Sequence, residues 1–193
     1  MMRTPLVRLF GLLLLLLVPV LPVRSFETSD IVPATGIIEY AFTPGDDAAG
    51  LIVRAIDGAR FQILVQAFSF THAGIAGALI RAAHRGVNVT VIADVEQINL
   101  IDHNVIPQLA EAGVPVFTDA EHAAAHNKVM VIDAGGKAPV LITGSFNFTH
   151  AAQFRNAENL LVFRGNHELS RAYLDNWNRH LKHSTRYRRG DGN

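Results

Sequence analysis

The stretch HNKVMVID, residues 126–133, sets a histidine and a lysine in front of four apolar residues that belong in a buried strand. Side chains alternate along a strand, so positions two apart share a face. His126 and Lys128 then point the same way, about 6–7 Å apart along the chain. Asp133 is an odd number of positions from His126, about 23 Å further on at full extension and on the opposite face. This predicts chemistry at the His126 end, and a structural role for Asp133 in anchoring the DAGG turn that it begins.

A second polar pair follows in TGSFNFT, where Ser145 and Asn147 alternate with Phe146 and Phe148. If the strand continues that far, the phenylalanines face the core and the polar pair faces away. Gly144 ahead of them permits a bulge or a close backbone approach. NAEN then puts Glu158 at the start of the next strand. Neighbouring strands lie about 4.8 Å apart, so three consecutive β segments can bring His126, Lys128, Ser145, Asn147 and Glu158 to one pocket. The plain alternative is a solvated sheet face. It explains one lone histidine well and five such groups on adjacent strands poorly. Histidine serves as nucleophile or acid–base, while lysine and asparagine donate to an anion. A histidine partner is available in Glu158.

Outward from these segments, strand and helix signals alternate. IIEYAF (37–42), RFQILVQAFSF (60–70), VNVTVIAD (87–94), VPVFT (114–118), PVLITGSFNF (139–148) and ENLLVF (158–163) read as strands. Helices are predicted near 47–59, from Ala73 to Gly86, over NVIPQLAEAG (104–113), and near 168–182 with Leu169, Tyr173, Trp177 and Leu181 on one stripe. Alternating units of this kind predict a single-domain α/β sandwich with a mixed, mostly parallel sheet flanked by helices. The domain is predicted over 37–187, after a polar linker at 26–36 and before a frayed polar tail at 188–193.

The first 25 residues, MMRTPLVRLFGLLLLLLVPVLPVRS, have the layout of a secretory signal peptide. Arg3 and Arg8 precede a run of apolar residues, and Val23 and Ser25 suit a cut before Phe26. The run is short for a membrane span and is broken by Pro19 and Pro22. Export to the periplasm or medium is the expectation, with membrane association only if the segment is retained. The chain carries 17 basic and 17 acidic residues. Loss of Arg3, Arg8 and Arg24 leaves 14 against 17, a net charge of −3, so a polyanion must be held by a local site. Zero cysteines exclude disulfides, thiolate metal sites and a cysteine nucleophile.

Other polar residues read more plainly. His122 and His126 have the H-x3-H spacing of a helical metal site, but a strand assignment for His126 argues against one, and no metal is predicted. Asp94 and Glu96 end a strand as a solvated rim. His72, His103, His150, His180 and His183 read as surface or helix-end residues, and Arg186, Arg188 and Arg189 as a solvated tail.

His126-x-Lys128-x4-Asp133 followed by Gly144-Ser145-x-Asn147 resembles the HxKxxxxD and GSxN signature of the phospholipase D superfamily. The resemblance runs through YAFTPGDDAAGLIVRAIDGA, QAFSFTHAGIAGALIRAAHRGVNVTVIAD, GSFNFTHAAQFRNAENLLVF and YLDNWNRH, from about Ile37 to Tyr187. It is strongest to the small exported bacterial endonucleases with one motif per chain. More residues separate Asp133 from Gly144 than that pattern commonly has, and AGGKA reads as a longer hairpin turn. The resemblance implies a phosphodiesterase without metal or other cofactor. His126 would attack phosphorus, and a second histidine would protonate the leaving oxygen. Lys128 and Asn147 would hold the phosphate oxygens, with Ser145 beside them, and Glu158 would orient the histidine. The implied substrate is DNA, with RNA next. The alternatives are a phospholipase acting on a lipid head group and a catalytically silent polyanion-binding module. The chemistry calls for two histidines and this chain has one motif, since neither His103 nor His150 is followed by a lysine two positions on. A homodimer with a shared active site is therefore expected.

Overall fold

The computed structural model describes residues 29–188. The proposed signal peptide, part of the linker and the last five residues lie outside the described residues. The chain divides into two units, Met1–Ile31 and Val32–Asn193, and every described helix and strand lies in the second.

Elements run in the order β1 (Ile37–Thr43), α1 (Ala48–Asp57), β2 (Gln62–Ala67), α2 (Ala73–His84), β3 (Asn88–Asp94), α3 (Val95–Leu100) and α4 (Ile106–Glu111). They continue with β4 (Val116–Asp119), β5 (Lys128–Ile132), β6 (Val140–Gly144), α5 (His150–Phe154), β7 (Glu158–Arg164), α6 (His167–His183) and β8 (Thr185–Arg186). The strands form one sheet ordered β1-β7-β6-β5-β2-β3-β4-β8.

The sheet is mixed, but the expected excess of parallel pairing is corrected. Only β2–β3 and β3–β4 are parallel. The pairs β1–β7, β2–β5, β4–β8, β5–β6 and β6–β7 are antiparallel. Parallel neighbours need a long crossover, and α2, α3 and α4 supply one in the first half. Between β5 and β6 there is only a turn, which returns the chain antiparallel.

Alternation along the central strands divides their side chains between two cores. Ile63, Val65, Val91, Met130, Ile132 and Ile142 join residues of α1, α2 and α4 on one face. Leu64, Ile92, Val129, Val131 and Leu141 meet Trp177 of α6 on the other. Leu169, Tyr173, Leu174 and Leu181 pack around that second core, close to the predicted stripe. Trp177 is 3% exposed, and its indole N–H donates to the Val65 carbonyl at 3.0 Å. Truncation to alanine there would remove both the fill and the bond, at about 3–5 kcal/mol.

Three short elements were not expected. α3 and α5 are too short for their periodicity to register. β8 includes Arg186, read as part of a solvated tail, yet Thr185 and Arg186 pair with β4, and Tyr187 N–H donates to Val116 O at 2.9 Å.

Candidate active site

β5 begins at Lys128, so His126 lies just before the strand rather than in it. The β2–β5 pairing ends at Ala67–Lys128, and one further bond from Phe68 N–H to Asn127 O, at 2.9 Å, carries the chain past it. Phe68 thereby becomes a platform. The His126 ring meets it edge-on at 4.4 Å between centroids, and the Lys128 ammonium lies 4.7 Å from its centroid. His126 is exposed, whereas Lys128 is 6% exposed with Nζ donating to His126 O at 2.9 Å. Burial pushes the Lys128 amine down to about 8, against the pull of the Glu158 and Asp94 carboxylates, which favour its charge. Phe68 gave no signal in the sequence beyond being one more aromatic residue in a strand.

On the strand next to β5, β6 stops at Gly144, whose φ of +147° and proximity to β7 leave no room for a side chain. A Cβ there would lie 2.3 Å from Asn159 O. The chain turns so that Ser145 and Phe146 N–H both reach that same carbonyl, at 3.1 and 3.2 Å. Ser145 Oγ donates to Glu158 Oε2 at 2.6 Å and accepts from Asn159 N–H at 3.0 Å. Glu158 Oε1 accepts from Asn156 Nδ2 at 3.0 Å. Phe146 and Phe148 are fully buried and hold Asn147 between them. The Asn147 Oδ1 atom is buried without a hydrogen-bond partner, a costly state that a ligand could relieve.

Lys128, Ser145 and Glu158 are thus assembled at one end of the β5-β6-β7 segment, with His126 at its rim and Asn147 beside it. No hydrogen bond joins Glu158 to His126 within the chain. The Glu158 oxygens are taken by Ser145 and Asn156. Asp133 stands at the far end of β5. Its buried carboxylate accepts from Arg60, Phe61 and Gln62 N–H at 2.8, 3.0 and 2.9 Å. The side chain therefore anchors the entry to β2, and only its backbone carbonyl, accepting from Gly136 N–H at 2.8 Å, serves the DAGG turn.

Asp94 is not a solvated rim residue. It is 2% exposed and accepts from Gln97 N–H at 2.9 Å, capping α3, and from Ala125 N–H at 2.8 Å. Two backbone donors draw the carboxylate in, and the second fixes the residue preceding His126. His180 and His183 lie in the last turn of α6, as helix-end residues, but they are not free there. Both turn onto the fully buried Asp119, together with His122, and His126 is not among them. His72 caps α2, its Nδ1 accepting from Ile75 N–H at 3.3 Å.

Residues 52–181 match the family described as "Cardiolipin synthase, PLD-like domain". The chain is 35% identical over 157 residues to the phospholipase D of Rickettsia conorii, covering 81% of this chain and 74% of the relative. It is 38% identical over 155 residues to the phospholipase D of Rickettsia felis, covering 80% and 74%. Among solved structures it superposes on a phospholipase D family member, Nuc from Salmonella typhimurium, with a TM-score of 0.74 and 31% identity, over 80% of this chain and 99% of that one. These likenesses place the chain among the phosphodiester hydrolases. The chain belongs to the phospholipase D superfamily.

Proposed function

We propose that this chain is an endonuclease that cleaves DNA, and RNA by the same chemistry, through a covalent phosphohistidine. The observation that carries the reading is an exposed His126 beside a buried, cationic Lys128 on one aromatic platform. The imidazole is free to attack phosphorus, forming an N–P bond as the ester P–O bond breaks. A second imidazole gives its proton to the leaving oxygen, then takes one from the water that displaces His126. Lys128 and the Asn147 amide hold the non-bridging oxygens and take up the developing charge, as a metal does in other phosphodiesterases. Supporting a nucleic acid over a lipid are the amide-rich surroundings of the site, with Asn156 and Asn159 exposed, and the likeness to small exported endonucleases. Among the described residues no helix is long and apolar enough to cross a membrane.

The second imidazole is His126 of a second copy. Ile38, Tyr40 and Phe42 leave one face of β1 exposed at 51%, 65% and 58%, a row of apolar side chains without cover. Phe42 is opposite Asn159 in the β1–β7 register, and Asn159 hydrogen-bonds Ser145, so the row ends beside the site. A twofold interface there would place two half-sites together. The same row favours the second reading, a lipid phosphodiesterase resting on a bilayer, which the names of the Rickettsia relatives also suggest.

The test is incubation of the chain lacking its first 25 residues with closed circular DNA, RNA and phosphatidylcholine vesicles, each with EDTA. Nicking and linearisation without choline release supports the nuclease, and choline release alone replaces it with the lipase. Binding of DNA without turnover of any substrate would leave only the silent module. Mixing wild type with excess His126→Ala should depress activity beyond dilution as subunits exchange. A fully active monomer at assay concentration would reject the shared site.

A further inference from the structure

We propose that Asp119, His122, His180 and His183 form a structural Zn²⁺ site that pins the end of α6 to the loop presenting His126. Asp119 ends β4, His122 lies in the β4–β5 loop, and His180 and His183 occupy the last turn of α6. One ligand atom from each lies within 4.8 Å of all the others. From Asp119 Oδ2, the distances are 2.8 Å to His180 Nδ1, 3.2 Å to His183 Nε2 and 3.3 Å to His122 Nδ1. Ligands about 2.0–2.1 Å from a tetrahedral ion lie roughly 3.3 Å from one another, the scale of these edges.

The rings give an independent measure. Their centroids form a nearly equilateral triangle with sides of 5.0, 5.2 and 5.3 Å. Three imidazoles on one tetrahedral Zn²⁺ place each centroid about 3.2 Å from the ion and hence roughly 5.2 Å from its neighbours. Hydrogen bonds alone account for the distances to Asp119 but do not require the near-equal spacing of the three rings. Asp119 is fully buried and already accepts from Glu121 N–H at 3.0 Å. Three imidazolium ions around one carboxylate would repel strongly at such spacings. A single divalent ion satisfies all three nitrogens without that repulsion.

The donor set selects the metal. Three nitrogens and one oxygen suit Zn²⁺, whereas Mg²⁺ and Ca²⁺ prefer all-oxygen shells. With four protein ligands no position is left for water, so the site holds structure rather than performing hydrolysis. What it holds is specific. The segment 120–125 has no strand or helix, and Asp94 grips its far end through Ala125 N–H. Asp94 faces Asp119 in the β3–β4 register, so two neighbouring carboxylates bracket the loop that leads into His126. The ion would add a rigid tie at the end opposite Asp94. His122, with its side chain 46% exposed, gives the ion a route in.

The experiment uses the whole chain without a polyhistidine tag. Elemental analysis after purification in Zn²⁺ should find one ion per chain, and titration of stripped protein should reproduce that stoichiometry. Saturating Zn²⁺ should raise the melting temperature by roughly 5–10 °C at a hundredfold excess over Kd. Co²⁺ in its place should show the intense visible bands of a tetrahedral site. His183→Gln and His180→Gln, checked for fold by circular dichroism, should weaken binding at least about 100-fold and lose both effects. His126→Ala should bind the metal as wild type does, which separates this site from the reaction centre and its failure from that of the nuclease reading. Substoichiometric metal, an octahedral Co²⁺ spectrum, or binding unchanged in both glutamine variants would overturn the proposal.

Discussion

The two ends of β5 carry the two halves of one motif and are built in opposite ways. At the Asp133 end everything is satisfied: a buried carboxylate meets three backbone donors, and its own backbone, at φ +51°, sits where Asp and Asn are tolerated. At the Lys128 end little is. A buried amine is held partly against its charge, an imidazole has only an aromatic edge for company, and an amide oxygen is buried without a partner. Four residues of strand, Val129 to Ile132, separate a stabilising anchor from a site whose groups await a ligand. A motif read as one unit is thus two devices joined by a rigid rod. Local rules broken at one end and obeyed at the other are what a functional site on a stable scaffold should look like.

The sharpest way to break this comparison is at His126. His126→Ala should abolish turnover of DNA while moving the melting temperature by no more than about 1 °C, since the ring is exposed and lends little to packing. A residual rate well above background would remove His126 from the chemistry. Lys128→Met comes next. It should cost about 2–4 kcal/mol of transition-state stabilisation, roughly 30- to 1,000-fold in kcat/KM, while thermal stability holds or rises because a buried charge is gone. A destabilised Lys128→Met enzyme would mean that this end, too, is an anchor.

How much of this was legible depends on how local the cause is. The apolar run Val129–Ile132, the span of α2 ahead of Gly86 and the stripe of α6 are local, and they appear as read. The separation of Asp133 from His126 followed from strand geometry alone. His126 itself falls outside the strand because β2 runs out of partners at Ala67, a fact of pairing that one segment cannot reveal. The antiparallel half of the sheet follows from the lack of a helix between β5 and β6, a cue that overall α/β alternation obscured. Asp119 and His180 are 61 positions apart, so only the fold brings them together. Even so, His122 and the i, i+3 pair His180–His183 were visible as ligand-type residues. Asp94 was misread because burial of a carboxylate depends on backbone donors that the sequence does not display.

At the other end, Asp133→Asn sharpens the contrast. Asparagine tolerates the same backbone, so the change tests the carboxylate alone. Weakening the bonds to Arg60, Phe61 and Gln62 N–H should cost about 2–3 kcal/mol, a fall of roughly 5–10 °C in melting temperature. Activity measured well below that temperature should stay within about twofold of wild type. Loss of activity without loss of stability would show that the far end of β5 reaches the chemistry after all.

The smallest effect is the pH response of Lys128, and its sign differs between activity and stability. The amine must be charged to hold phosphate oxygens, and its pKa in the free protein is about 8. The alkaline limb of kcat/KM, which reports free-enzyme groups, should therefore fall above about pH 8, near tenfold per pH unit. Stability should move the other way. Because the folded pKa lies below the ordinary lysine value of 10.5, between about pH 8 and 10.5 the unfolded chain binds a proton that the folded chain has lost. Unfolding free energy from this group then rises with pH across that window. Below pH 8 both states are charged and the desolvation cost is present in full. Lys128→Met should remove this rise, while Asp133→Asn should leave it in place, so the wild-type-minus-Met difference in unfolding free energy against pH isolates the group. A difference that is flat from pH 7 to 10.5 would mean that Lys128 is charged throughout, and the Lys128 end of β5 would be as well satisfied as the Asp133 end.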